Sequence, residues 1–192
     1  MKTKDIDIRT SLHRRLKAEH ATEIADTLIL DELALCQGDA RIDVAVVNGA
    51  INGYEIKSES DTLGRLPRQC EAYSKVFDTV TVLTASKYVE GIINLVPDWW
   101  GLTRAEMEED GVVHFFSIRE PQKNPCIDSL ALAQLLWRDE AIIILKERGL
   151  QKGLLSKPRK VLWEALAENL SLVDLQYEVR KTLKSRTNWR VH

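Results

Sequence analysis

The stretch from Arg41 to Lys57 limits this chain more than any other. Two apolar, largely β-branched runs, Arg41 to Val47 and Ile51 to Lys57, flank Asn48-Gly49 and predict two antiparallel strands joined by a tight connection. Both carry charge where a sheet wants apolar side chains: Asp43 in the first, Glu55 and Lys57 in the second. Residues two apart on a strand project from one face, so Glu55 and Lys57 lie side by side. Burying a carboxylate is costly unless something neutralises it. Lys57 answers Glu55, which leaves Asp43 in excess, joined by Glu32 from the apolar run Thr27 to Leu33.

Carboxylates grouped with oxygen-only donors suit Mg²⁺ or Mn²⁺. A divalent metal is therefore the expected missing partner, with Asp43, Glu55 and the carbonyl of Ile56 as its ligands. A phosphodiester asks for this combination, because its charged oxygens repel a nucleophile until a cation screens them. Lys57 would then position the attacking water and stabilise charge building on the phosphorus oxygens. By itself the spacing also fits a strand salt bridge with an exposed acid.

Parity supplies a structural condition. A two-residue Asn48-Gly49 hairpin pairs Val47 with Ala50 and sends Asp43 and Glu55 to opposite faces. A shared metal site needs an odd loop or a bulge. Asn48-Gly49-Ala50 as connection pairs Val47 with Ile51 and sets Asp43 opposite Glu55; Val47-Asn48-Gly49 leaves the two diagonal.

The other segments read as follows. Ile8, Leu12 and Leu16 mark an amphipathic helix ending near His20, and Leu66, Cys70, Tyr73 and Phe77 mark another behind Pro67. Thr79 to Thr84 is a further strand, Ser86 to Val96 a helix capped by Ser86, and Trp99 to Leu102 with Val112 to Ile118 a hairpin. Only helices follow Asn124-Pro125: Leu130 to Trp137, Glu140 to Arg148, Val161 to Asn169 and Leu172 to Trp189. The chain of 192 residues is expected to form an α/β core over 1–124, a central mixed β-sheet flanked by helices, with a helical C-terminal extension over 125–192 packed on it.

Net charge is −2, yet residues 151–192 hold nine Lys/Arg against four Asp/Glu. That basic tail is either a nucleic-acid contact or a solvated helix face. Cys36, Cys70 and Cys126 form no C-x-x-C pair, so reduced core cysteines are expected. With no secretory or membrane-spanning stretch, the expected location is the cytoplasm. The four histidines have no metal-ligand spacing, and Trp99 and Trp100 read as core anchors. No phosphate-cradling Gly-rich loop or G-x-S-x-G elbow occurs.

The order acid, Asp43, Glu55-Ile56-Lys57, Gln69-x-x-x-Tyr73 resembles the PD-(D/E)XK, or restriction-endonuclease-like, nuclease superfamily. Over Gly38 to Phe77, with VPDWWG at Val96 to Gly101 and LLWRDEA at Leu135 to Ala141, the chain is similar to an uncharacterised bacterial and phage family of predicted nucleases. The resemblance implies a restriction-endonuclease-like core, Mg²⁺ or Mn²⁺, and phosphodiester cleavage. By position, Asp43 and Glu55 match its metal-binding acids, Lys57 its catalytic lysine and Gln69 its helix glutamine. For the first acid Glu32 is favoured over Glu19 and Glu23. Many nucleases of this superfamily pair to cut both strands, which makes a homodimer an expectation.

Arg41 is expected to ion-pair with Asp43, with a scissile phosphate as its other role. Arg65, Arg68 and Tyr73, on or beside the Gln69 helix, are weaker candidates for substrate contact, and Ser58 with Asp61 should order the loop after Lys57. The function expected is a metal-dependent DNA endonuclease. The alternative is a nuclease-fold module that binds nucleic acid or protein with little cleavage. A glycosidase built on two carboxylates would have no use for Lys57.

Overall fold

The computed structural model describes residues 3–109, 111–187 and 189; His192, one of the four histidines, lies outside them. Six strands form one sheet in the order β1 (Leu28–Leu35), β2 (Ala40–Val47), β3 (Ile51–Lys57), β4 (Thr79–Thr84), β5 (Gly101–Met107), β6 (Val113–Arg119). The first three strands form an antiparallel meander, β3, β4 and β5 run parallel, and β6 returns antiparallel. Parallel neighbours need crossovers. Helices α2 (Leu66–Tyr73) and α3 (Val89–Ile93) supply them.

Helix α1 (Asp5–Glu19) covers one face, where Ile8, Leu12 and Leu16 meet Val44, Val46, Ile56, Leu83, Ala105 and Val113. The other face is continuous with the helical half, made of α4 (Ser129–Ala133), α5 (Arg138–Glu147), α6 (Arg159–Asn169) and α7 (Leu172–Ser185). Val47, Ile51, Val80 and Tyr73 share one apolar cluster there with Leu132, Trp163, Leu175 and Leu183. Gly53 is what lets the chain after α2 approach β3, because a Cβ there would stand 3.1 Å from the Phe77 ring.

The connection between β2 and β3 is the three-residue one. Val47 pairs with Ile51, and the Asn48 side chain accepts from the Ala50 amide at 3.1 Å inside the turn. Two helices are shorter than their periodicity suggests. Ser86 donates its hydroxyl to Glu106 at 2.6 Å instead of capping, and a single 3-10 turn over Ser86–Tyr88 leads into a short α3. Trp137 donates its amide to Glu140 at 2.7 Å, which starts α5 where the pattern had continued α4. Cys70 is buried, but Cys126 is exposed, so not all three free cysteines belong to the core. Among the described residues, no helix is long and apolar enough to cross a membrane.

The tail's charge is partly absorbed by the fold. Lys184 meets Asp26 at 2.6 Å, Arg186 meets Glu140 at 2.6 Å, and Lys181 lies 3.6 Å from Glu147.

Candidate active site

The site begins with a fault in the strand alternation. In β1, Leu30 and then Leu33 and Leu35 face the helical half, while in β2 Ala45 and Val47 do so and then Ile42 and Ala40. Each strand loses one step, at Glu32 and at Asp43, which stand across from one another by count although only Asp31↔Val44 and Leu33↔Ile42 pair on either side. Glu32 absorbs the step with φ of 57°, a left-handed conformation that costs a non-glycine residue about 1 kcal/mol or more. The paired register of β2 and β3 ends at Val44↔Tyr54. Beyond it Asp43 Oδ2 accepts from the Ile56 amide at 2.7 Å, so a side chain takes the place of a ladder bond.

In front of this gap lies a cleft of about 730 Å³. Asp43, Glu55, Ile56, Lys57 and Gln69 line it, together with Glu32, Arg41, Arg65 and Arg68. Strand β3 carries Glu55 and Lys57 on the face that looks at α2, and Lys57 Nζ donates to Glu55 Oε1 at 2.5 Å. Gln69, in the second turn of α2, donates to Glu55 Oε1 at 2.7 Å and accepts from Lys57 Nζ at 3.1 Å. Both side chains of the ion pair are almost fully buried, at 2 % and 4 % exposure. The Ile56 amide points toward β2. In extended backbone the carbonyl of the same residue points to that side too, into the opening rather than at β4.

Burial, and after it the charge of Glu55, pushes the Asp43 carboxyl up to about 7, while the Ile56 amide and Arg9 pull the other way. Asp43 thus holds a proton near neutrality that an ordinary carboxylate sheds. A cation is the group that would reverse this. The donor set fits a hard divalent ion in kind: two carboxylates and a backbone carbonyl, all oxygen. Of its about four lone-pair positions Glu55 commits three, to Lys57, Gln69 and Tyr73, and Asp43 commits two. Among the described residues no group of three His, Cys, Asp or Glu is arranged to hold a metal, so any ion here would rest on two acids, the carbonyl of Ile56 and water.

Two expectations need correction. Arg41 pairs with Glu32 at 2.6 Å rather than with Asp43, because the lost step in β2 separates the faces of residues 41 and 43. Tyr73 faces no substrate: it is wholly buried, its ring stacked on Trp100 at 5.9 Å. Its hydroxyl lies 2.6 Å from the Arg41 carbonyl and 2.7 Å from Glu55 Oε2, and with one proton it donates to one of them at a time. Tyr73 positions Glu55 from behind. Glu32, the favoured first acid, lines the cleft, while its alternatives Glu19 and Glu23 lie away from it, paired with Arg15 and His20.

Helix α1 brings two residues that the sequence did not single out. Arg9 donates to the Asp43 carboxylate at 3.1 Å and to its carbonyl at 2.8 Å, and Asp5, one turn earlier, accepts from Arg9 Nε at 3.2 Å. Asp5, not Glu19 or Glu23, is the acid that α1 contributes to the cleft. Its only signal was an i, i+4 Asp-Arg pair, which on most helices marks a solvated face. Ser58 and Asp61 do order the loop after Lys57: the Ser58 hydroxyl and amide donate to Asp61 at 2.6 and 2.8 Å.

Comparison with known proteins gives kinship rather than chemistry. A family model described as bacteriophage P4 protein cII matches residues 2–190. Protein cII of Enterobacteria phage P4 is 24% identical over 163 residues, 85% of this chain, and the chain spans 61% of that relative's length. Among solved structures, a protein of unknown function from Silicibacter pomeroyi aligns with a TM-score of 0.44 and 18% identity over 77% of this chain and 92% of its own. With a family match over almost its whole length, the chain belongs to the bacteriophage P4 protein cII family.

Proposed function

We propose that this protein is a metal-dependent nuclease with a restriction-endonuclease-like core, hydrolysing phosphodiester bonds, and that its substrate is DNA. The observation that carries the reading is the juxtaposition of Asp43 with the buried Glu55–Lys57 pair at the floor of an open cleft whose rim bears Arg41, Arg65 and Arg68. Asp43, Glu55 and the Ile56 carbonyl would hold Mg²⁺ or Mn²⁺, which when bound supplies a Lewis acid and a more acidic water. Lys57, held by Glu55 and Gln69, places a fixed positive charge where the phosphorus oxygens gain charge. Gln69 keeps that ammonium aimed, and Tyr73 fixes the Glu55 carboxylate from the opposite side. The rim arginines grip the substrate backbone through forked contacts. Catalysis takes place in the cytoplasm, and two copies acting together would account for double-strand cutting.

A second reading has its own support. Three donors already satisfy Glu55, as they would in a site retained for stability, so the same cleft suits a module that binds nucleic acid without cutting it. Nicking of supercoiled plasmid separates the two. Cleavage with Mg²⁺ or Mn²⁺ that stops on chelation and on Lys57→Ala supports the nuclease; retention of plasmid without cleavage under any divalent ion supports the binding module. Cleavage at an unchanged rate by the Lys57→Ala protein would remove the assigned chemistry.

A further inference from the structure

Arg9 is the most heavily committed side chain of the cleft. A guanidinium has five N–H groups, and all five are directed at oxygen. Nε donates to Asp5, Nη1 to the Asp43 carbonyl and, at 3.5 Å, to Asp31, and Nη2 to Glu32 at 2.9 Å and to Asp43 Oδ1. Burial works against its charge, yet the hydrogen bond and attraction from Asp5, with Asp43 and Glu32, hold its proton more firmly than in an ordinary arginine.

These partners are not equivalent. Asp5, Asp31 and Glu32 are about half exposed, at 45, 48 and 42 %, whereas Asp43 is 20 % exposed and is the one that faces Glu55. The solvated carboxylates tether the guanidinium at the cleft mouth. The Asp43 contact alone ties it to the floor.

We propose that Arg9 is a displaceable partner of Asp43: it hydrogen-bonds the Asp43 side chain while the cleft holds no divalent cation, yields it when one binds, and turns the freed N–H to the phosphodiester. The inference rests on reading Asp43 and Glu55 as metal ligands. A guanidinium hydrogen-bonded to Asp43 Oδ1 and a dication sharing that carboxylate repel each other, so one weakens the other. Release does not set Arg9 loose, because Asp5, Asp31 and Glu32 still hold its three nitrogens, and it frees the Nη2 N–H that Asp43 Oδ1 had accepted for a phosphate oxygen. Arg9 therefore offers one N–H to two partners in succession, first Asp43 and then substrate.

Calorimetric titration of the intact, metal-free protein with Mn²⁺ tests the displacement. Arg9→Met should bind Mn²⁺ about tenfold more tightly than wild type, the equivalent of one charge-assisted hydrogen bond no longer broken. Arg9→Lys, which keeps the charge but not the fork, should fall between them and carries the test if Arg9→Met is unstable. Equal or weaker Mn²⁺ binding by a folded variant overturns the displacement and leaves the metal site standing. Absence of Mn²⁺ binding by wild type and variant alike overturns both. Duplex affinity with and without Ca²⁺ reads the second half: wild type should exceed Arg9→Met by about tenfold with Ca²⁺ and match it without. The same ratio in both conditions would show that Arg9 never reaches the phosphate.

Discussion

The protein buries ion pairs in two places and treats them differently. In the helical half, Arg186 is 5 % exposed, donates to both oxygens of Glu140 at 2.6 Å, and lies between the rings of Trp137 and Trp189 at 4.3 and 4.8 Å. Glu178, 6 % exposed, accepts from Arg148 on one oxygen at 2.7 Å, and Lys181 lies 3.8 Å from the other. The two acids there, Glu140 and Glu178, are met by three cations, Arg186, Arg148 and Lys181. In the cleft, Asp5, Glu32, Asp43 and Glu55 are met by Arg9, Arg41 and Lys57, and open space lies before them; Asp31, which takes Arg9 and His13, is outside its lining. A matched pair anchors one element on another. An acid excess facing a cleft is an arrangement that a bound cation completes.

The largest effect that separates the two regions is on turnover. Lys57→Ala or Glu55→Gln should lower the rate of plasmid nicking by about 10²–10³ or more, the scale of losing a preorganised charge at a transition state. Arg186→Ala should leave the rate of the folded protein unchanged. An equal loss of turnover in a folded Arg186→Ala protein would break the division between anchor and site.

Stability should respond the other way. Arg186→Ala strands the Glu140 carboxylate, 15 % exposed, and removes the cation from between two tryptophan rings. A loss of about 3 kcal/mol is expected in urea unfolding, as for other broken buried pairs. A loss below about 0.5 kcal/mol, the ordinary range for a surface change, would make the pair decorative.

The pH dependence sharpens the contrast, since Asp43 lacks a full complement of charge. Its folded pKa of about 7 lies above the ordinary 3.8, so the folded state keeps a proton that the unfolded chain releases. Its contribution is present below pH 4 and lost as pH rises to about 7. In chelator, Asp43→Asn should remove that decline and gain about 4 kcal/mol over wild type at pH 8 relative to pH 4. Thermal unfolding across this range checks it; parallel curves for the two proteins would mean that Asp43 titrates as an ordinary carboxylate.

How far these regions could be read without coordinates depends on how local their causes are. Strands β2, β3 and β4 were legible within a residue because alternation and turn residues act over short range, and the parity condition on Asp43 and Glu55 was met by the Val47↔Ile51 register. Arg9 was not legible. Its contact with Asp43 spans 34 residues and depends on how α1 crosses the sheet at the fault in β1 and β2. The fault itself leaves no mark, since Glu32 is an ordinary strand glutamate until its φ is seen. Tyr73 shares the helix face of Gln69, but its depth comes from packing on Trp100 rather than from spacing.

The smallest effect concerns the basic tail, whose charge count left a nucleic-acid contact and a solvated helix face both open. In the fold, Lys181 and Lys184 meet Glu147 and Asp26, whereas Arg65 and Arg68 sit on the cleft rim. Phosphate contacts release counterions, and each lost contact lowers the slope of log affinity against log salt by about 0.9. Arg65→Gln with Arg68→Gln should therefore flatten the slope of duplex binding by about 2, and Lys181→Gln with Lys184→Gln should leave it unchanged. The latter pair should cost only about 0.5–1 kcal/mol of stability, because their partners are solvated. If the tail variant flattens the slope and the rim variant does not, the substrate runs over the helical half, and the cleft is not where nucleic acid binds.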